Sequence, residues 1–143
     1  MGSLGGLGVT SDEVRPPIAA AVIVQDGKVL LVKRRVKEGS LSWQFPAGEV
    51  EPGETGSQAA VRETQEETGL TVADVKVLGE RVHPNTGRTM IYVACQVVDG
   101  SASVVDDEEL VEFAWSSLGQ IADYVPYPFY GPVQEYLNES LSS

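Results

Sequence analysis

Cysteine is nearly missing from this chain. Cys95 is the only one, so no disulfide can form within the chain. It sits inside an apolar run, as a buried thiol in a strand would. Histidine is equally scarce. His83 stands alone, just before Pro84 in a turn, where a surface role is expected. No stretch approaches the roughly 18 apolar residues of a membrane span, so no membrane partner is expected. The first residues, MGSLGGLGVTSDEV, lack the basic start and long apolar core of a secretory signal. Gly6 stands where a myristoylation motif needs Ser or Thr. Residues 1–15 therefore read as a flexible, glycine-rich tail, and the expected location is cytoplasmic. Positive charge is also short: 10 basic residues face 21 acidic ones, for a net charge of −11. Such a surface repels a phosphate backbone, which excludes long nucleic acid as a partner. Small phosphorylated molecules stay open, provided a divalent metal supplies positive charge.

The 143 residues, 42% of them hydrophobic, suit one domain, placed at residues 16–140. Ile18–Gln25 is a continuous apolar run, as in a buried strand. Asp26-Gly27 separates it from Lys28–Arg35, a strong signal for an antiparallel hairpin. Residues 37–42 read as a polar loop. Residues 43–46 (WQFP) read as a short extended piece, because Pro46 keeps Phe45 out of the helical region. Strands are expected over 72–82, 89–98 and 112–115, the first two paired through the turn HPNTGR. Residues 106–109 (DDEE) form an acidic loop, residues 117–124 a short helix, and Pro132 opens a terminal helix over 131–139. Many strands with helices on their faces make a mixed α/β domain.

The stretch that organises the rest is residues 48–70, GEVEPGETGSQAAVRETQEETGL. It holds six glutamates, one arginine and no lysine. Pro52-Gly53 breaks the chain, Thr55 and Gln58 form a capping box, and Gly69 stops the helix. On that helix Glu66 lies about −60° and Glu67 about +40° from Glu63, so all three share an arc of about 100°. Ala59 and Ala60 fall in the same arc, while Val61, Gln65 and Thr68 lie opposite. Three carboxylates facing a surface packed on small residues repel one another. Either a hard cation such as Mg²⁺ or Mn²⁺ offsets that repulsion, or the face is simply solvated. Periodicity alone leaves the two even.

The spacing resembles the Nudix box, G-x5-E-x7-R-E-U-x-E-E-x-G-U with U a bulky apolar residue. Gly48, Glu54, Arg62, Glu63, Glu66, Glu67 and Gly69 hold the fixed positions, and Leu70 the final U. Seven fixed letters coincide by chance in a given window on the order of once in 10⁸. Thr64 departs from the first U, and Ala47 stands where glycine is common. The resemblance implies a MutT-like Nudix fold, an α/β/α sandwich whose mixed, curved sheet lies between helices. It implies a Mg²⁺-dependent hydrolase (Mn²⁺ being possible chemically) that cleaves an acid anhydride, a nucleoside diphosphate linked to another group. It further implies that Glu63, Glu66 and Glu67, with the Ala47 carbonyl, hold metal, and that Arg62 and Glu54 pair to hold the loop on the helix. Gly48, Glu54 and Gly69 are then structural, and Glu63, Glu66, Glu67 and Arg62 catalytic. The general base is either Glu66 or Glu67, or a carboxylate brought from the later acidic stretch: Glu108, Glu109 or Glu112.

Outside the box the substrate contacts stay open. Arg34 and Arg35 either meet phosphates or end a solvated strand. Trp43 and Phe45 share one strand face, and either stack on a base or pack in the core. The aromatic stretch YVPYPFY either lines a pocket or seats the last helix. The first reading is a nucleoside triphosphate, or an oxidised one, cut to nucleoside monophosphate and pyrophosphate. The second is ADP-ribose or a nucleotide sugar, since Pro84, 15 residues past Gly69, resembles a proline of the ADP-ribose-cleaving members of that family. The third is a Nudix module that senses nucleotide without turnover, against which the intact glutamates argue. The partner is a small nucleotide, and the chain is a monomer or a homodimer.

Overall fold

The computed structural model describes residues 15–36 and 39–143. The expected tail lies outside the described residues except for Arg15, and so do Lys37 and Glu38. Strands β1 (Ile18–Gln25) and β2 (Lys28–Arg35) form the hairpin. Asp26 at φ 53° and Gly27 at φ 74° take the left-handed conformations that an Asp-Gly turn requires. The two strands pair only beside that turn, Val24 with Val29 and Gln25 with Lys28. They then part, and each recruits its own neighbours.

On β1, strand β4 (Ala47–Glu49) adds antiparallel to one edge and β6 (Thr89–Asp99) adds parallel to the other. Strand β5 (Thr71–Val82) closes this half beside β6, antiparallel as expected. On β2, β3 (Leu41–Gln44) and β7 (Leu110–Ser116) add antiparallel. The result is one mixed sheet that splits between β1 and β2. Two expectations are corrected here. The stretch 37–42 is not all loop, since Leu41 already pairs with Arg35. Residues 47–49, left without regular structure in the sequence reading, form a strand because the parting hairpin leaves β1 an open edge.

Burial on both faces explains the continuous apolar run in β1. Ala19, Ala21 and Ile23 point into one core with Ala59 and Ala60 of the box helix, α1 (Gly56–Thr68), and with Leu70 just past its end. Ala20 and Val22 point into the other with Ile121, Val133 and Leu137. That second core is covered by a 3₁₀ turn (Leu118–Gln120), α2 (Ile121–Tyr124) and α3 (Gly131–Ser140). Val133 and Leu137, four apart on α3, are both fully buried. Each such side chain contributes roughly 1.5–3 kcal/mol. The architecture is thus an α/β/α sandwich around a mixed sheet. Cys95 is buried in β6, and burial pushes its thiol up to about 12. Among the described residues no helix is long and apolar enough to cross a membrane.

Candidate functional site

Helix α1 starts as its sequence requires. The Thr55 hydroxyl accepts the Gln58 N–H at 3.1 Å, and the Gln58 side chain accepts the Thr55 N–H at 2.9 Å. Gly69 ends the helix at φ 78°. Small residues then let it settle on the sheet, with Ala59 and Ala60 fully buried. The inward face is not centred where periodicity placed it. Thr68, expected on the outer side, is fully buried, as is Thr64. Their hydroxyls donate to the Ala60 and Thr64 carbonyls at 2.8 and 2.7 Å, so neither needs water. This rotation grades the three glutamates. Side-chain exposure is 4% for Glu67, 17% for Glu63 and 55% for Glu66.

Glu67 is the deepest charge. Arg34 Nη2 donates to both of its carboxylate oxygens, at 2.9 and 3.0 Å, and to the Ala47 carbonyl at 3.3 Å. The Ala47 N–H also donates to Glu67, at 3.3 Å. Arg34 Nη1 reaches Glu109 at 3.2 Å. Burial nevertheless outweighs Arg34 and pushes the Glu67 carboxyl up to about 7. Burial also raises Glu63, against the pull of Arg62.

Arg62 makes the second knot. Its Nε and Nη2 fork onto Glu54 at 2.8 and 3.0 Å, and Nη2 also reaches the Glu49 carbonyl at 3.0 Å. Its Nη1 meets Glu63 at 3.0 Å and Glu66 at 3.2 Å. The hydrogen bonds from Arg62, and then from the Glu51 N–H, hold the Glu54 carboxyl below its ordinary value. Gly48 is required by contact: a Cβ there would fall on the Glu63 carboxylate. Gly48→Ala is therefore expected to displace Glu63 and, if Glu63 holds the ion, to weaken Mg²⁺ binding by about 10–100-fold, as loss of a ligand's support does. Calorimetric Mg²⁺ titration checks this, and unchanged affinity would mean that Glu63 does not hold the ion.

These groups line a cleft of about 1480 Å³ between β3, β4, the ends of β5 and β6, and the loop before α3. Arg34, Trp43, Phe45, Ala47, Gly48, Glu63, Glu67 and Glu109 line it. Glu54, Arg62, Glu66, Gly69, Arg35, Glu108 and Glu112 do not. Of the three carboxylates named from the later acidic stretch, only Glu109 reaches the site. Glu112 instead pairs with Lys33 at 3.7 Å on an exposed strand face. Phe45 is 7% exposed and packs on Phe129 at 5.1 Å, so it belongs largely to the core. Trp43 is half-buried, edge-on to Tyr124 at 4.8 Å. The sequence reading passed over Arg81, Arg88, Met90 and Tyr92, and it placed His83 on the surface. All five line the cleft. Burial, and then Arg81 nearby, lower the His83 imidazole.

Among the described residues no three acids or imidazoles are gathered tightly enough to hold an ion as they stand. The expected trio is shared between two arginines instead. The chemistry of the donors still fits a hard cation. Three oxygens, two from Glu67 and one from Ala47, lie within 3.3 Å of a single cationic nitrogen. An all-oxygen set of this kind suits Mg²⁺.

Comparison with known proteins bears on the family and the fold. An RNA pyrophosphohydrolase of Halorhodospira halophila is 48% identical over 71 residues, which are 50% of this chain and 38% of that protein. The chain thus spans well under half the length of that relative. A NUDIX hydrolase structure from Nitrosomonas europaea superposes with TM-score 0.72 at 28% identity, over 89% of this chain and 91% of that one. An ADP-ribose pyrophosphatase structure from Streptococcus suis gives 0.66 at 25% identity, over 91% and 95%. The NUDIX domain model matches residues 15–135, and the chain belongs to that family.

Proposed function

We propose that this chain is a Mg²⁺-dependent pyrophosphohydrolase of a nucleoside triphosphate, intact or oxidised, releasing nucleoside monophosphate and pyrophosphate. The observation that carries the reading is the oxygen cluster of Glu67 and Ala47, with Glu63 beside it, at the wall of a cleft large enough for a nucleotide. Glu63, Glu66, Glu67 and the Ala47 carbonyl would hold the metal, with Glu66 turning inward from Arg62. A bound divalent ion neutralises the bridging oxygens and lowers the pKa of water. The chain does the rest. Arg62 and Glu54 fix the loop at residues 48–54 against α1. Arg34, released from Glu67, offers its guanidinium to a phosphate oxygen. Trp43 supplies an apolar wall for the base.

The proton of the attacking water goes to a carboxylate in the cleft. Glu109 suits this role, because it enters the cleft from a loop and its carboxylate meets Arg34 alone among the described residues. Glu109→Gln is expected to lower kcat about 10²-fold, with KM nearly unchanged. Wild-type kcat in that variant would return the role to Glu66 or Glu67. A second reading, ADP-ribose or a nucleotide sugar, is favoured by Pro84, which lines the cleft 15 residues past Gly69. Incubation with Mg²⁺ and a panel of deoxynucleotides, oxidised deoxynucleotides, ADP-ribose and nucleotide sugars decides between them. Tight binding without turnover of any compound would refute both enzyme readings and leave a nucleotide sensor.

A further inference from the structure

The cleft contains three guanidinium groups, and two are neutralised. Arg34 is held by Glu67 and Glu109. Arg88 is held by Glu49 at 3.0 Å and the Pro16 carbonyl at 2.7 Å. Arg81 has no carboxylate within 4.0 Å among the described residues. Arg15, Lys28, Arg35 and Lys76 lack such a partner too, but none of them lines the cleft. Among the described residues the Arg81 Nε and Nη2 reach only the Tyr92 hydroxyl, at 3.4 and 3.3 Å, which leaves donors of Nη1 and Nη2 unused.

The fold holds this cation in place. Its Cζ lies 5.2 Å from the Tyr130 ring and 5.9 Å from the Tyr92 ring, and the two rings are 5.5 Å apart. Tyr92 is 6% exposed. Tyr130 donates its hydroxyl to the Glu80 carbonyl at 3.1 Å. Gly79 makes room for it, since a Cβ at that position would stand 2.9 Å from the Tyr130 oxygen. Two rings and a glycine therefore hold Arg81 in place, while nothing acidic among the described residues neutralises it.

Its position follows from the strand register. Ala20 on β1 pairs with Ala47 on one side and with Tyr92 on the other. Two strand spacings put Tyr92 about 10 Å from Ala47. Arg81 comes from the next strand, opposite Met90, and lies over Tyr92. The free fork thus faces the same cleft as the Glu67–Ala47 cluster, some way along it. A planar fork with donors to spare binds paired acceptors: phosphate oxygens, or the edge of a guanine. The missing counter-charge favours phosphate, because a base would leave Arg81 unneutralised.

We infer that Arg81 binds a phosphate of the substrate beyond the diphosphate held at Glu67 and Ala47, so that the cleft selects nucleoside tri- or polyphosphates over diphosphate-linked sugars. This rests on the hydrolase reading for the place of the diphosphate. The test is calorimetric binding of inorganic tripolyphosphate and of pyrophosphate, each with excess Mg²⁺, to the wild type, Arg81→Ala and Arg81→Gln. Arg81→Gln keeps the length of the side chain over the tyrosines and removes the charge. Both variants are expected to weaken tripolyphosphate about 10–100-fold and pyrophosphate less than about twofold. Equal weakening of the two ligands, or no change in either, overturns the assignment. So does a guanosine nucleoside whose binding depends on Arg81 while tripolyphosphate does not. The same samples are assayed with the nucleotide panel. Turnover with no Arg81-dependent preference sinks this subsite and spares the hydrolase. An Arg81-dependent preference without any turnover sinks the hydrolase and spares the subsite.

Discussion

Glu67→Gln is expected to lower Mg²⁺-dependent turnover about 10³-fold while leaving the fold intact, and to raise rather than lower thermal stability at pH 8. The first part follows from chemistry. An amide keeps the oxygen facing Arg34 Nη2 and Ala47 but loses the charge that a cation requires. About 4 kcal/mol of lost transition-state stabilisation corresponds to that factor. The second part follows from burial. The Glu67 carboxyl titrates at about 7 in the folded chain, against 4.5 unfolded. Between those values the folded state binds the extra proton, so stability is fully present below about pH 4.5 and declines as pH rises to 7. The shift amounts to on the order of 3 kcal/mol above pH 7, and glutamine removes it. Melting curves of both proteins from pH 4 to 8, without metal, read this directly. They should converge at acid pH and separate above 7. A variant that is less stable than wild type at pH 8 would show that the Arg34 pair, not the burial of charge, dominates at this position.

Metal binding should run opposite to metal-free stability. An ion needs the ionised carboxylate, so Mg²⁺ affinity is expected to rise with pH until Glu67 has titrated. On the proposed reading the site would be least stable alone under the conditions where it binds best, and a bound ion would restore what ionisation costs.

Local signals were legible, and pairings distant in sequence were not. The capping box at Thr55, the stop at Gly69 and the Asp26-Gly27 turn are each written within four residues, and each stands where the sequence put it. Thr68 was misplaced because periodicity counts polarity, while the helix satisfies two threonine hydroxyls internally and buries them. Arg34 and Arg35 look alike in sequence. What separates them is the irregular register of β2 on β7 between Lys33 and Arg34, together with Ala47 arriving on β4. Glu108, Glu109 and Glu112 were equivalent for the same reason, until Arg34 met Glu109 alone. The far half of the cleft was illegible. Tyr92 reaches it through the parallel pairing of β1 with β6, between residues about 70 apart, and no local pattern announces a parallel pair.

Arg62→Ala is expected to cost about 2–3 kcal/mol of stability and about 10²–10³-fold in kcat, with a smaller change in KM. Arg62 is the only positive charge in the box, and it faces Glu54, Glu63, Glu66 and, at 3.7 Å, Glu51. Its removal leaves Glu54 and Glu63, only 15% and 17% exposed, without their counter-ion. Partial exposure keeps the energy below that of a fully buried pair. The catalytic loss comes from position rather than charge. The fork onto Glu54 and the Glu49 carbonyl ties the loop to α1, and that tie holds Gly48 over Glu63. Displacement by about 1 Å costs about 10²-fold in a positioned reaction. Arg62→Lys separates the two effects. Lysine restores the charge but not the fork, so it should recover most of the stability and little of the rate. Paired measurements of melting temperature, kcat and KM for both variants test the division. If lysine restores turnover in full, Arg62 acts as a counter-charge and not as the clamp on the loop.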